Sequence, residues 1–267
     1  MIQTPTFSTK RSRALARRET LASYLFLTPC LLLFAGFVIV PMALCVITSF
    51  FNYTMADFSF VGFANYVKLI QDPVFLKSLW NTVLIVIVSV PVVMLFSLWV
   101  ASVAHKLKDG PCSFFRCVFY LPVVTGTVAV TVVWKWMFSK YTGLFNYVLS
   151  DLGLIGGNIS WLGSVDTAIW CIILILFTTS VGQPIVLNIS ALNNVDSSLI
   201  EAAHVDGATN LQTFWRIKWP QIMPTTLYVM VITTINSFQC FALIQLLTSG
   251  GPQSSTSTIM YYIYYQA

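Results

Sequence analysis

Long apolar runs separated by short polar links give this chain its pattern. The runs cover residues 21–51, 79–104, 114–138, 167–192 and 222–247. Each is near or above the length of about 20 residues that a helix requires to cross a bilayer. Pro29 and Pro41 fall inside the first run and Pro91 near the middle of the second. The first run is long enough to tilt, kink or continue past the bilayer. Segments of about ten residues with period-two alternation, the mark of an outer-membrane barrel, are absent. The pattern predicts an all-α polytopic membrane protein.

After Trp219 no charged residue occurs, which is too much apolar chain for one span. The polar stretch "TSGGPQSSTST" divides it and reads as a loop. The apolar residues that follow, "IMYYIYYQA", are too few to cross a bilayer. They are expected to open a sixth span whose remainder lies beyond Ala267.

Composition agrees: 57% of residues are hydrophobic and 9% charged, against about 25% charged in soluble domains. The formal charge of +5 is not a nucleic-acid signature, because five of the fourteen bases precede the first span: Lys10, Arg11, Arg13, Arg17 and Arg18. Such a cluster reads first as an orientation signal and second as an attraction to anionic lipid. The first run is too long for a cleaved signal peptide and lacks a small-residue cleavage site. Lys106, Lys108 and Arg116 mark the link after the second run, and Arg216 and Lys218 the link after the fourth. The alternate links balance bases with acids: Lys68 and Lys77 against Asp57 and Asp72, then Lys140 against Asp151 and Asp166. The bias puts the N-terminus and residues 193–221 in the cytoplasm. Residues 1–20 then form a basic cytoplasmic segment and 21–267 the membrane domain. "FVGFANYVKLIQDPVFLKSLW" has the composition of short helices lying at the headgroups. Lys135, between two tryptophans, reads as a lysine snorkelling in an aromatic belt.

Catalytic and metal chemistry find little here. The six cysteines are scattered and have no metal-ligand spacing, and His105 and His204 are the only histidines. No cofactor or metal is expected. No nucleophile–base pair and no phosphate-binding glycine loop is apparent, so no catalytic residue is assigned. The spans carry no deep ionisable residue, which disfavours a proton-coupled transporter.

Between the fourth and fifth runs lies "NNVDSSLIEAAHVDGATNLQTFWRIKWPQIMP". Ser198 and Glu201 have the spacing of a capping box, with Asp196 or Ser197 as alternative caps. Ala202 and Ala203 favour helix, and Gly207 suits a left-handed C-cap. Thr209 or Asn210 can cap a second short helix, which Pro220 is expected to end. Two short helices around a glycine joint suit a docking element; an ordinary self-capped solvated loop remains the alternative.

The register decides further. Glu201-Ala202-Ala203, three residues, Gly207, nine residues, Ile217, two residues and Pro220 resembles the EAA motif of ABC importer permeases. Trp219 stands where that family usually has leucine. The resemblance implies a coupling helix that fits a groove on an ATPase subunit, with Glu201, Ala202, Ala203, Asp206, Gly207, Ile217 and Pro220 in the coupling loop. Further segments from about Arg17 to the end are similar to carbohydrate importer permeases of the MalF/UgpA type. That implies a six-span type I fold in the bacterial inner membrane. It also implies four kinds of partner: a second homologous permease, two ATPase subunits, an extracytoplasmic sugar-binding protein and a sugar. ATP hydrolysis would belong to the ATPase, not to this chain.

Polar residues near the midplane are candidates for the solute path. Gln183 and Asn188 lie on the fourth run, and Asn236, Ser237, Phe238 and Gln239 on the fifth. Amides both donate and accept, and aromatic rings stack on sugar faces. These groups can equally be interhelical glue. Other polar solutes, glycerol phosphate among them, and an ATP-independent secondary transporter stay open as alternatives.

Overall fold

The computed structural model describes residues 10–53 and 58–266. It divides into two units, Met1–Gln71 and Asp72–Ala267. The first five bases begin at Lys10, where α1 (Lys10–Phe34) also begins, and the helix runs through the expected boundary at residue 20. Residues 1–9 lie outside the described residues.

In the first unit α1 passes through a π-helical turn, Ala35–Ile39, into α2 (Val40–Thr48). The Val40 N–H reaches back five residues to the Ala35 carbonyl. Pro41 lies just beyond. A proline inside an α-helix lacks an N–H and collides with the carbonyl four residues back. One extra residue in the preceding turn relieves both problems. A short antiparallel hairpin follows, β1 (Phe51–Tyr53) and β2 (Phe58–Phe60), in register Phe51↔Phe60. Phe51 and Phe58 stack with ring centroids 4.8 Å apart. The amphipathic helix α3 (Ala64–Gln71) completes the unit. Its Asn65 amide donates to the carbonyls of Ser49 and Phe51, tying the helix to the hairpin.

The second unit is built on α4 (Pro73–Ala104), which starts six residues before the apolar run. Asp72 caps it: its carboxylate accepts from the Val74 N–H at 2.8 Å, and Pro73 takes the first helical position. The Tyr262 hydroxyl, which donates to the same carboxylate, and then the Val74 bond hold the Asp72 pKa below the usual carboxylate range. Small residues at helical spacing, Ser78, Thr82, Ser89, Ser97, Ala101 and Ala104, are all buried. They make a seam on which other helices approach closely.

The third apolar run is not one straight helix. α5 (Asp109–Val124) and α6 (Thr127–Met137) meet at 95° around Thr125 and Gly126. Thr125 is extended, which ends α5. After α7 (Leu144–Asp151), the fourth run forms α8 (Val165–Ser180) and α9 (Gly182–Asn193), bent by 42°. Pro184 has no N–H for the Ser180 carbonyl, which explains the position of this break. Gly182 seats against α5: a Cβ there would collide with the Phe119 carbonyl and lie 2.9 Å from Val123 Cγ2.

Four further helices close the unit before the last one: α10 (Ser197–Val205), α11 (Asn210–Thr213), α12 (Trp219–Phe238) and α13 (Ala242–Leu247). α14 (Ile259–Gln266) follows the polar 248–258 turn. Among the described residues two helices are long and apolar enough to cross a membrane, and the number is four if each bent pair is one span. α12 has the length, but Gln221, four threonines, Asn236 and Ser237 lower its hydropathy.

α4 sits among α8, α9 and α12. One apolar cluster gathers Ile85, Ile172, Ile175 and Ile244; a second gathers Val93, Ala101, Ile185, Ile189 and Ile222. The 248–258 turn is held by polar groups near the start of α4. Asn81 Nδ2 donates to the carbonyls of Ser254 at 3.1 Å and Ser257 at 2.9 Å. Ser78 donates to Ser257, the Ile259 N–H donates to Thr82, and Lys77 donates to the Gln253 carbonyl. Ser255, Thr256, Ser257 and Thr258 are all buried.

Candidate functional site: an elbow and a polar cleft

The 193–221 segment folds as two short helices at a glycine joint. Asp196, not Ser198, caps α10; its carboxylate accepts from the Ser198 N–H at 2.9 Å. The expected Ser198–Glu201 capping box does not form. A charged carboxylate is the stronger acceptor, and it takes the orphan N–H. That bond holds the Asp196 pKa below the usual carboxylate range.

α10 ends in a Schellman turn. The Ala208 N–H donates to the Ala203 carbonyl at 2.9 Å, and the Gly207 N–H to the His204 carbonyl at 3.1 Å. Gly207 sits at φ +76°, a backbone that side chains disfavour. Thr209 then caps α11 in a complete capping box. Its Oγ1 accepts from the Gln212 N–H at 3.3 Å, while Gln212 Oε1 accepts from the Thr209 N–H at 2.9 Å.

Pro220 does not end this second helix. A π turn, Phe214–Lys218, joins α11 to α12, and the Trp219 N–H reaches back to the Phe214 carbonyl. Pro220 is the second residue of α12, just past that wide turn. Elbow and fifth run are thus one continuous helical path.

Glu201, Ala202, Asp206 and Gly207 are exposed, Ala203 is buried and Ile217 is half-buried in the π turn. Large apolar side chains also face outward here: Val205 is 87% exposed, Leu211 68% and Trp215 55%. The elbow is anchored from behind by Lys218, whose ammonium donates to His105 Nε2 at 3.0 Å. An ammonium only donates, so the Nδ1 of His105 carries the proton and bonds the Ala101 carbonyl at 3.1 Å. Nothing local in the sequence pairs these two residues.

Among the residues proposed for the solute path, Gln183 and Asn236 line one narrow cleft with Ser180, Tyr228 and Thr233. The cleft holds about 20 Å³, room for about one water molecule. Tyr228 has no counterpart in the sequence reading; its signal is the spacing of 228, 232 and 236 on one face of α12. Asn188 lies apart, 1% exposed, with its Nδ2 donating to Ser97 at 3.1 Å. Ser237 is buried. Phe238 ends α12 and Gln239 follows as its C-cap, both exposed. Helix breaks at such polar positions free backbone groups, the usual construction of a transporter path.

Residues 70–266 match the family model described as binding-protein-dependent transport system inner membrane component. The chain is 32% identical over 256 residues to the probable ABC transporter permease protein YurN of Bacillus subtilis, covering 95% of this chain and 87% of the relative. It is also 32% identical over 259 residues to the lactose transport system permease protein LacF of Rhizobium radiobacter, covering 96% and 86%. With the sn-glycerol-3-phosphate transport system permease protein UgpA of Agrobacterium fabrum the identity is 30% over 212 residues, 77% of this chain and 69% of that protein. Among solved structures, a bacterial ABC transporter involved in import of the acidic polysaccharide alginate superimposes with a TM-score of 0.79. It is 25% identical, and the match covers 96% of this chain and 86% of that one.

Proposed function

The chain belongs to the family of binding-protein-dependent transport system inner membrane components, and on that premise we propose that it carries a sugar across the membrane for an ATP-driven importer. One observation carries the reading. The segment with the family's Glu201-Ala202-Ala203 to Gly207 register is a capped, glycine-jointed elbow, exposed on its outer face and continuous with α12. Such an elbow can take a push from a bound ATPase and turn it into rotation of a membrane helix. Gln183 and Asn236 then form one wall of the solute path. With room for about one water, the cleft in this chain is completed by a second, homologous permease. The remaining partners are two ATPase subunits, which hydrolyse the ATP, and an extracytoplasmic solute-binding protein. The N-terminus and the elbow face the cytoplasm, as the distribution of bases supports. Residues 1–20 are the basic cytoplasmic segment, 21–267 the permease domain and 193–221 its coupling loop.

The test is purification and uptake together. An ATPase should accompany the chain, with turnover that responds to binding protein and solute. Glu201→Ala and Gly207→Pro should abolish uptake while the protein still reaches the membrane. Uptake that survives ATP depletion and follows an ion gradient instead would defeat the proposal. A second solute class rests on the glycerol phosphate relative. A thermal-shift panel of sugars and glycerol phosphate on the partner binding protein separates the two.

A further inference from the structure

A groove of about 500 Å³ runs along the basic end of α4, away from the Gln183–Asn236 cleft. Leu95 and Trp99 on one wall are 70% and 65% exposed. Trp215 and Trp219 form part of the facing wall. Positions 95, 99, 102 and 106 share one face of α4 and its C-terminal turn, so the stripe runs from apolar span to the Lys106 ammonium. Lys218 lines the same groove, and no carboxylate does among the described residues.

We propose that this groove binds an anionic phospholipid, its phosphate between Lys106 and Lys218 and an acyl chain along Leu95 and Trp99. Charge complementarity is the first argument. Two lysines face one groove with no acid to offset them. Burial and then the charge of Lys106 hold the Lys218 pKa below the usual lysine range. A phosphate between the ammoniums removes that repulsion, and Lys218 keeps two N–H donors free beyond the one given to His105.

The apolar wall is the second argument. It belongs to a helix apolar enough to span the membrane, so an occupant drawn from the bilayer reaches it without crossing water. Tryptophans at the same level fit the headgroup zone, and basic pockets beside membrane helices are where anionic headgroups bind. The chain's own N-terminal segment is a poor occupant, since Lys10, Arg11, Arg13, Arg17 and Arg18 repeat the charge of the groove.

The assembled complex in nanodiscs of phosphatidylcholine and phosphatidylglycerol tests this, with retained lipid counted by native mass spectrometry. The unaltered complex should retain phosphatidylglycerol over phosphatidylcholine. Lys106→Gln should lower that preference about fivefold, while Lys106→Arg keeps it. Lys106 is exposed at a helix end, so loss of folding will not mimic the result. Equal retention of the two lipids overturns the proposal, as does an unchanged preference in Lys106→Gln. Displacement of the lipid by millimolar inorganic phosphate would instead assign a free-anion site. A photoreactive group at residue 99 that crosslinks to a protein subunit would assign the groove to that subunit. The readout is lipid count, so a failure here leaves the importer reading untouched.

Discussion

The Lys218 ammonium donates to Nε2 of His105 at 3.0 Å, across 113 residues of sequence. The bond fastens the π turn of the elbow to the end of α4, and it requires a neutral imidazole. Burial first, and the charge of Lys218 next, hold the His105 pKa below the usual histidine range. The unfolded chain therefore takes up a proton at higher pH than the folded protein. Stability from this group is complete above about pH 6.5 and falls as pH drops from there to the depressed folded value. The melting temperature of purified protein should decline as the pH falls below about 6.5. His105→Gln should flatten that decline. A slope identical in both proteins would remove His105 from the account.

Gly207 isolates a backbone effect. A Cβ there meets nothing within 4 Å, so Gly207→Ala adds no clash and its whole cost is the left-handed conformation, about 1–2 kcal/mol. Gly207→Asn should lose less, because asparagine tolerates that region. Hydrogen exchange at Ala208–Gln212 should rise in the alanine variant ahead of the asparagine one. Equal losses would mean that φ is not the cause.

Gly182 is the opposite case, a steric one. Its φ is ordinary, yet a side chain would press on the Phe119 carbonyl and Val123. Gly182→Val should destabilise the protein by about 1–3 kcal/mol, the usual cost of overpacking. Trimming Val123 to alanine should recover only part of that, since the backbone carbonyl cannot yield. Full recovery would put the clash on the side chain alone.

Asn81 joins α4 to the 248–258 turn through two carbonyls. Asn81→Ala leaves the buried Ser257 carbonyl and the half-buried Ser254 carbonyl without this donor, at about 1–3 kcal/mol. Amide exchange should rise around Ser254–Ile259 and stay unchanged in the elbow. A uniform rise across the protein would show global loosening in place of a local release.

How much of this was legible in the sequence follows from how local each signal is. The glycine joint at Gly207 is written in a few neighbouring residues and forms as read, and of the two caps offered there, Thr209 and Asn210, it is Thr209 that forms. Pro220 misleads because a proline reads as a helix stop, whereas a π turn just before it lets the helix pass. The same device carries α1 into α2 ahead of Pro41. Hydropathy located the third apolar run but carries no direction, so the 95° turn at Thr125 and Gly126 stayed hidden. Gln183 and Asn236 stand out in the sequence as polar groups on apolar runs, while Tyr228 does not stand out among so many aromatics. His105 and Lys218 meet only in three dimensions.

The placement of α4 has a mechanical consequence. Near one end, Lys77, Ser78, Asn81 and Thr82 hold the 248–258 turn; just past the other, His105 receives Lys218. Between them runs a single unbroken helix, about 48 Å long at 1.5 Å per residue. The 248–258 turn and the elbow are therefore fixed to opposite ends of one strut. A displacement imposed at the elbow must either bend that strut at Pro91 or arrive at the far turn. Only a bend at Pro91 lets one end be reset while the other is left as it was.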